Sequence, residues 1–160
     1  LCSDPEVMHY FGGPQPRAKV EATVQSCLGL QARFGVWLQP LTLKQTGEFI
    51  GIAGIAEVLF QEHFTPAVEI GWRLARRHWG NGYITEIGRA HIDYAFNVRR
   101  FSELVSFAVE ANDRSIAVMK RLGFTHDPAE DFDHKSVPDA FPHLKRHVLY
   151  RLNNPSARRI

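Results

Sequence analysis

Residues 76–83 read Arg-Arg-His-Trp-Gly-Asn-Gly-Tyr, a short basic segment with two closely spaced glycines. The apolar run of residues 68–75 before it predicts a strand, and the pattern of residues 84–98 after it predicts a helix. Glycines leave room for a ligand beside the backbone, and the free N–H groups at a helix N-terminus bind anionic oxygens. The arginines and the helix dipole add positive potential at the same place. This segment therefore predicts a site for a ligand that carries a pyrophosphate.

Three phosphate-binding motifs could account for a glycine segment of this kind. The Walker motif requires Lys and then Ser or Thr directly after its last glycine, and no such run occurs in this chain. A dinucleotide-binding motif requires a third glycine three residues after Gly82, where this chain has Thr85. The pattern that remains is Arg77-x-x-Gly80-x-Gly82.

The rest of the sequence predicts the elements that hold this segment in place. Helical patterns come first, followed by β-rich runs at residues 35–43 and 48–60 that a turn signal joins. After the glycine segment, residues 104–109 predict a strand, Asn112 the cap of a short helix, and residues 147–152 a last strand. This order predicts one α/β domain with a mixed sheet over residues 1–152, followed by a flexible tail over residues 153–160.

Composition limits the classes of function. With 160 residues, 44% hydrophobic and 22% charged, the chain suits one compact domain. No apolar window approaches about 18 residues and no signal-peptide pattern is present, so we expect no membrane partner. A net charge of +2 without a basic stripe argues against a nucleic-acid partner. The two cysteines have no metal or redox spacing, so we expect free thiols, a cytoplasmic location and no bound metal.

The motif and its neighbours resemble the GNAT superfamily of N-acetyltransferases. Arg77-x-x-Gly80-x-Gly82 between a strand and a helix is similar to the acetyl-coenzyme A signature of that superfamily. Further segments resemble its RimJ/RimL branch, namely Gly71-Trp-Arg-Leu74, residues 79–86, residues 110–115 and Leu122-Gly-Phe124. The resemblance covers nearly the whole chain and implies a mixed, mostly antiparallel central sheet flanked by helices. Members of the branch usually begin with a strand that has no counterpart here, so we expect that N-terminal strand to be missing.

The resemblance implies acetyl-coenzyme A as the cofactor. Backbone N–H groups of residues 77–83 would hold the pyrophosphate of coenzyme A, and the main chain of residues 73–75 would pair with its pantetheine arm. Three positions around the later helix match family positions near the cofactor. The cofactor-binding residues expected in this way are Leu74, Ala75, Arg77, His78, Trp79, Gly80, Asn81, Gly82, Tyr83, Asn112, Ser115 and Arg121.

Direct transfer of an acetyl group to a primary amine needs a base for the amine and a hydrogen-bond donor for the developing oxyanion. Glu69, on the predicted central strand, is the favoured base, and Glu110, at the end of the next strand, is the second candidate. A free backbone N–H near Leu74 or Ala75 is the expected oxyanion donor.

The leaving thiolate needs a proton donor or solvent. Many members of the superfamily carry a tyrosine for this purpose seven residues after the position of Asn112, but this chain has Met119 there, which cannot donate a proton. Ser115 is the candidate that remains. The missing tyrosine keeps an alternative open, a coenzyme A-binding sensor or regulatory domain that has the same fold and no turnover.

The resemblance also implies an amine-bearing acceptor, either a protein N-terminus or a small molecule. Residues 127–144 are polar and contain three prolines, so we expect a loop that shapes the acceptor mouth or a dimer contact. A homodimer is therefore a further expectation.

Overall fold

The computed structural model describes residues 1–157, which form an α/β fold, as predicted. The strands are β1 (Gln39–Thr42), β2 (Phe49–Glu57), β3 (Val68–Leu74), β4 (Glu103–Val109), β5 (Thr125–His126), β6 (Phe132–Asp133) and β7 (Arg146–Asn153). The α-helices are α1 (Arg17–Phe34), α2 (Tyr83–Asp93) and α3 (Asp113–Arg121), and α2 continues as a π-helical turn over Tyr94–Val98. Short 3₁₀ helices lie at His9–Phe11, Arg76–His78, Pro128–Glu130 and Pro142–Leu144.

Within the described residues the strands form one seven-stranded sheet in the order β1-β2-β3-β4-β7-β5, with β6 also paired to β7. Every pair of strands is antiparallel except β3 with β4. The expectation of a mixed, mostly antiparallel sheet is therefore confirmed. β1 lies at one edge, and the described residues before it form turns, a 3₁₀ helix and α1 but no strand.

The parallel pairing of β3 with β4 is very short. It consists of one register pair, Glu69 opposite Val105. Directly after it, the buried hydroxyl of Ser106 donates a hydrogen bond of 2.9 Å to the carbonyl oxygen of Ile70. That carbonyl would otherwise accept from the next amide of β4 in a continuing parallel ladder. The two strands consequently diverge after Ile70 and leave a gap between them.

Two glycines let β2 pack closely against its surroundings. A Cβ atom on Gly51 would lie 2.3 Å from the carbonyl oxygen of Arg73, and one on Gly54 would lie 2.5 Å from that of Trp37. Both distances are shorter than van der Waals contact, so β2 could not keep its place beside β3 with larger residues here.

The sheet is buried on both faces. Successive strand residues point to opposite faces, so Leu104 and Val105 belong to different clusters. Leu104 packs with Ile70 and with Met119 of α3, whereas Val105 packs with Phe132 and aromatic neighbours on the other face. The helices α2 and α3 therefore cover one face, and the segment that contains β6 covers part of the other.

Residues 127–144 form the expected connecting segment, but they are not all loop, since β6 pairs with β7 through Phe132 and His147. The tail predicted from residue 153 is partly ordered. Asn153 is paired with Glu103 as the last residue of β7, and the side-chain amide of Asn154 donates to the carbonyl oxygen of Phe101 at 3.0 Å. Residues 158–160 lie outside the described part of the chain. Among the described helices, none is long and apolar enough to cross a membrane.

Candidate active site

Two cavities open where β3 and β4 diverge. The larger, of about 940 Å³, extends from β3 over the N-terminus of α2 to α3, and we call it the loop cleft. The smaller, of about 540 Å³, lies between β3, β4, the N-terminal turn and the segment after β6, and we call it the Glu69 pocket. Residues that line both cavities are Tyr10, Phe11, Trp72, Arg73, Asn112 and Ser115. The two cavities therefore adjoin along these residues.

The glycine segment is fixed by hydrogen bonds within itself and to β3. The N–H groups of His78 and Trp79 donate to the carbonyl oxygens of Ala75 and Arg76 in the 3₁₀ helix. The indole Nε1 of Trp79 donates to the carbonyl oxygen of Leu74 at 2.8 Å. The segment is thereby anchored to the end of β3 before α2 begins.

The tip of this segment presents N–H groups that the protein does not use. Within residues 1–157, the N–H groups of Gly80, Asn81 and Gly82 donate to no backbone acceptor, and no side chain caps α2 at Gly82. Gly80 and Gly82 both have a φ of +79°, in the left-handed region that favours glycine. A Cβ on either residue would meet nothing within 4 Å, so the space beside them is open. Uncapped amides at a helix N-terminus are a place where an anion binds.

The two arginines of the segment are paired with carboxylates, Glu6 in the lining of the loop cleft and Glu48 outside it. Arg76 pairs with Glu6 at 2.6 Å, and Arg77 pairs with Glu48, which also lies 3.3 Å from Nε2 of His78. The hydrogen bonds from Arg77 and then from His78 hold the pKa of Glu48 below its usual value. The guanidinium of Arg77 is therefore paired with Glu48 away from the loop cleft, and a contribution of its charge to the anion site stays a prediction.

Positive charge reaches the loop cleft from other arginines. Arg89 of α2 and Arg114 and Arg121 of α3 are exposed and line it, and only Arg121 was expected from the sequence. The guanidinium of Arg114 lies 4.4 Å from the ring centroid of Trp79, a cation–π contact that ties α3 to the glycine segment. Arg114 and Arg121 are seven residues apart, so helical periodicity could have shown that they share a face.

The backbone of β3 borders the gap. The N–H of Ala75 donates to the carbonyl oxygen of Ile50 at 2.8 Å, so the backbone groups of Leu74 and Trp72 point away from β2 in this antiparallel ladder. Because β4 pairs with β3 only at Glu69, those groups face the gap. Ala75 is consequently wrong as an oxyanion donor, since its N–H is already used, while the N–H of Leu74 is oriented suitably.

The expected cofactor-binding residues mostly come together in the loop cleft. Ala75 and Arg77 are exceptions and line a separate depression beside Leu1 and Asp4. Asn81 lines none of these cavities, and its side-chain amide donates to the carbonyl oxygen of Trp79 at 3.2 Å. The expected residues that line the loop cleft are Leu74, His78, Trp79, Gly80, Gly82, Tyr83, Asn112, Ser115 and Arg121.

Glu69 lies in the wall of the smaller cavity. Its carboxylate folds over Gly71, where a Cβ would lie 3.3 Å from Oε1. Burial raises the pKa of Glu69 to about 7, because among residues 1–157 no neighbouring charge or hydrogen bond offsets the loss of water around the carboxylate. A carboxyl group with this pKa can exchange a proton near neutral pH, which suits a general base.

The second candidate base does not reach the site. Glu110 is exposed and lines neither cavity, and its N–H donates to the carbonyl oxygen of Arg146. It follows the last residue of β4, where the chain turns toward α3 and leaves the gap. The side chain of Met119, at the position where the family has its tyrosine, is fully buried in the core.

Two hydroxyl groups lie where the cavities meet. Ser115 stands in the first turn of α3, and its N–H donates to Oδ1 of Asn112 at 3.3 Å, which confirms Asn112 as the helix cap. Tyr10, from the N-terminal turn, donates its hydroxyl hydrogen to the carbonyl oxygen of Ala111 at 2.7 Å. Sequence reasoning missed Tyr10, because nothing near it in the chain indicates that the N-terminal turn reaches the end of β4.

The histidines of the later segment separate in space. His126 pairs with Asp131 at 2.8 Å, whereas His134 and His147 line the Glu69 pocket with ring centroids 5.1 Å apart. Within residues 1–157, no three His, Cys, Asp or Glu side chains gather as a metal-binding group. Cys2 has its Sγ 3.6 Å from Nη1 of Arg73 but lines none of the three cavities.

The chain is similar in sequence to known acetyltransferases. Residues 1–125 match the family model described as an acetyltransferase (GNAT) domain. The uncharacterized protein YkkB of Bacillus subtilis is 37% identical over 123 residues, which cover 77% of this chain and 70% of that protein. The FsC-acetyl coenzyme A-N(2)-transacetylase of Aspergillus fumigatus is 32% identical over 135 residues, which cover 79% of this chain and 56% of that enzyme.

The fold is similar to that of a solved acetyltransferase. The crystal structure of the acetyltransferase from Agrobacterium tumefaciens matches with a TM-score of 0.71 and 30% sequence identity, over 95% of this chain and 80% of that one. The chain therefore belongs to the GNAT acetyltransferase family.

Proposed function

We propose that this protein transfers the acetyl group of acetyl-coenzyme A directly to a primary amine. One observation carries the proposal: a cleft with uncapped amides at a helix N-terminus joins a pocket whose carboxyl group has a pKa of about 7. Membership of the GNAT family supports acetyl transfer. The Aspergillus relative is named an acetyl coenzyme A-N(2)-transacetylase. This name supports acetyl-coenzyme A as the donor and an amine as the acceptor.

The residues of the loop cleft fit coenzyme A. The N–H groups from Gly80 to Gly82 would hold the pyrophosphate, as open amides beside a helix N-terminus do for other phosphates. The exposed arginines of α2 and α3 would pair with further phosphate oxygens. The outward amides of β3 would bind the pantetheine arm, as a strand edge binds a peptide.

Coenzyme A carries the acetyl group as a thioester. Side chains of this protein would accept the proton of the amine and donate one to the leaving thiolate. Glu69 would take a proton from the amine, because only a neutral amine attacks and amines are mostly protonated at neutral pH. The N–H of Leu74 would stabilise the oxyanion, a contribution of about 3 kcal/mol for one such donor. Ser115 or Tyr10 would protonate the leaving thiolate.

A coenzyme A-binding sensor without turnover is the alternative. The specific observation in its favour is Met119, which is buried in the core where many relatives carry a catalytic tyrosine. The two functions share the loop cleft and differ in whether an acetyl group moves.

The experiment is to measure coenzyme A binding by calorimetry and acetyl transfer by mass spectrometry of a panel of amines. We expect acetylated product and release of free thiol in equal amounts. Tight coenzyme A binding without acetylation of any amine would support the sensor, and absence of coenzyme A binding would contradict both functions.

Several finer expectations remain predictions. They are the RimJ/RimL branch, the cytoplasmic location and the homodimer. Sedimentation of the purified protein with and without coenzyme A would test the dimer, and cell fractionation would test the location.

A further inference from the structure

We propose that the acceptor is a small primary monoamine with an aromatic body, whose amino group lies at Glu69 and whose ring occupies the rest of the Glu69 pocket. This inference rests on the proposed function and names the substrate class of the same site. The charge, the aromatic lining and the size of the pocket support this choice of acceptor.

The charge of the pocket favours a single amino group. Glu69 is the one carboxylate among the described lining residues, and the other charged side chains there, Lys19 and Arg73, are basic. Burial lowers the pKa of His134 and of His147, which favours the neutral form of both imidazoles. A polyamine would bring further ammonium groups into the pocket, and each would lose water without gaining a carboxylate partner.

The lining favours an aromatic body. Phe107 lies in the wall and is held edge-on by Phe60 and Phe132, with ring centroids 5.7 Å and 5.6 Å away. Phe11 and Phe141 contribute two more rings from the N-terminal turn and the segment after β6. A ligand ring placed among oriented aromatic side chains gains contacts beyond simple burial of apolar area.

The size of the pocket favours a small molecule over a protein N-terminus. The N-terminal turn meets the opposite wall, since a Cβ on Gly12 would lie 3.6 Å from Cε2 of Phe141. The volume of about 540 Å³ is in the range of small-molecule sites, and a small monoamine would lie entirely within it.

The test compares three acceptors under the same conditions, using the full chain and acetyl-coenzyme A. The acceptors are 2-phenylethylamine, spermidine and a short peptide with a free N-terminal alanine, and the measurement is kcat/KM for each. We expect the value for 2-phenylethylamine to exceed both others by about tenfold or more. A higher value for spermidine or for the peptide would overturn this inference and leave the proposed function standing.

Three variants, one of them a control, sharpen the comparison. Phe141→Ala should lower kcat/KM for 2-phenylethylamine by about tenfold without changing the affinity for coenzyme A. Phe49→Ala is the matched control, because Phe49 is exposed on β2 and lines neither cavity. Lys19→Glu would add a second carboxylate and should raise kcat/KM for spermidine by about fivefold, with little effect on 2-phenylethylamine. Equal values for Phe141→Ala and the parent would contradict the aromatic site.

A binding measurement separates this inference from the proposed function. If no amine is acetylated, 2-phenylethylamine is titrated calorimetrically into the protein saturated with coenzyme A. Saturable binding that Phe141→Ala weakens would preserve the inferred ligand class while the proposed function fails. No binding of 2-phenylethylamine would overturn the inference as well.

Discussion

The raised pKa of Glu69 comes from burial of its side chain rather than from a charged or hydrogen-bonded partner. The carboxylate folds over a glycine in the pocket wall. Among the carboxylates considered as bases, it is the one that the fold brings to the gap, whereas Glu110 lies outside both cavities. The sequence could propose both, since Glu69 stands on the strand before the glycine segment and Glu110 at the end of the next strand, but it could not choose between them.

Glu69→Gln should lower kcat by about 10²- to 10⁴-fold, as the loss of a general base does. In the parent protein kcat/KM should rise with pH through about 7, because the carboxylate must be unprotonated to accept a proton. The variant should lose this rise and keep the one due to the amine itself at higher pH. Glu110→Gln is the control, and a similar loss in that variant would argue against Glu69 as the base.

Ser115 and Tyr10 are the two candidates for the group that protonates the leaving thiolate. Removing the true donor, by Ser115→Ala or Tyr10→Phe, should lower kcat by about 10²-fold with little change in KM for the amine. A thioester with a more acidic thiol should restore part of the rate in that variant, because its thiolate needs less protonation. Unchanged kcat in both variants would indicate that solvent protonates the thiolate.

The glycine segment has a backbone conformation that leaves its amides free. Its two glycines have positive φ and open space beside them, its amides remain uncapped, and Trp79 ties it to β3. The sequence predicted this position and its anion-binding role from spacing alone. It did not predict that Arg77 is held by Glu48, because the partner lies 29 residues away in the chain.

Gly82→Val should reduce coenzyme A affinity by about 100-fold or more, since its side chain would enter the open space that the pyrophosphate would occupy. The positive φ also strains any branched residue there, by about 1–3 kcal/mol. Gly47→Val controls for that strain, because Gly47 has a φ of +71° and equally open space in the hairpin that joins β1 and β2. Calorimetry should show normal coenzyme A binding for Gly47→Val, and an equal loss in both variants would contradict the assigned site.

The gap between β3 and β4 shows why elements alone do not define the site. The strands were predicted from apolar runs, but the sequence did not show that they pair only at Glu69 and Val105 before Ser106 bonds to the carbonyl oxygen of Ile70. A serine in a strand carries no sequence signal for this role. The position at which the two cavities adjoin therefore depends on how the strands pair, which the sequence does not show.

At the scale of the whole molecule, burial of Glu69 couples the site to stability. Its pKa in the folded protein is about 7, above the ordinary 4.5, so the folded state binds more protons than the unfolded state between these values. The free energy of unfolding should then fall as the pH rises from 4.5 to about 7 and level off above that. This is a cost to the fold that a catalytic role for Glu69 would explain.

Glu69→Gln should therefore be more stable than the parent by about 1–3 kcal/mol at about pH 8, with the difference shrinking toward zero as the pH falls to about 4.5. The neutral amide avoids the desolvation that the carboxylate suffers. Urea unfolding at several pH values measures the effect. A difference that does not depend on pH would show that ionisation of Glu69 is not its source.

The sequence by itself determined the α/β class, the glycine segment between a strand and a helix, and the family, because these depend on local periodicity and on short spacings. Only the tertiary structure placed Glu69 in a pocket wall and Glu110 outside both cavities, brought Tyr10 to the junction, paired Arg77 with Glu48 and lined the Glu69 pocket with aromatic rings. Each of these outcomes depends on contacts between residues far apart in the chain. The free energy of such contacts comes from burial and pairing in the folded state, which no local pattern specifies.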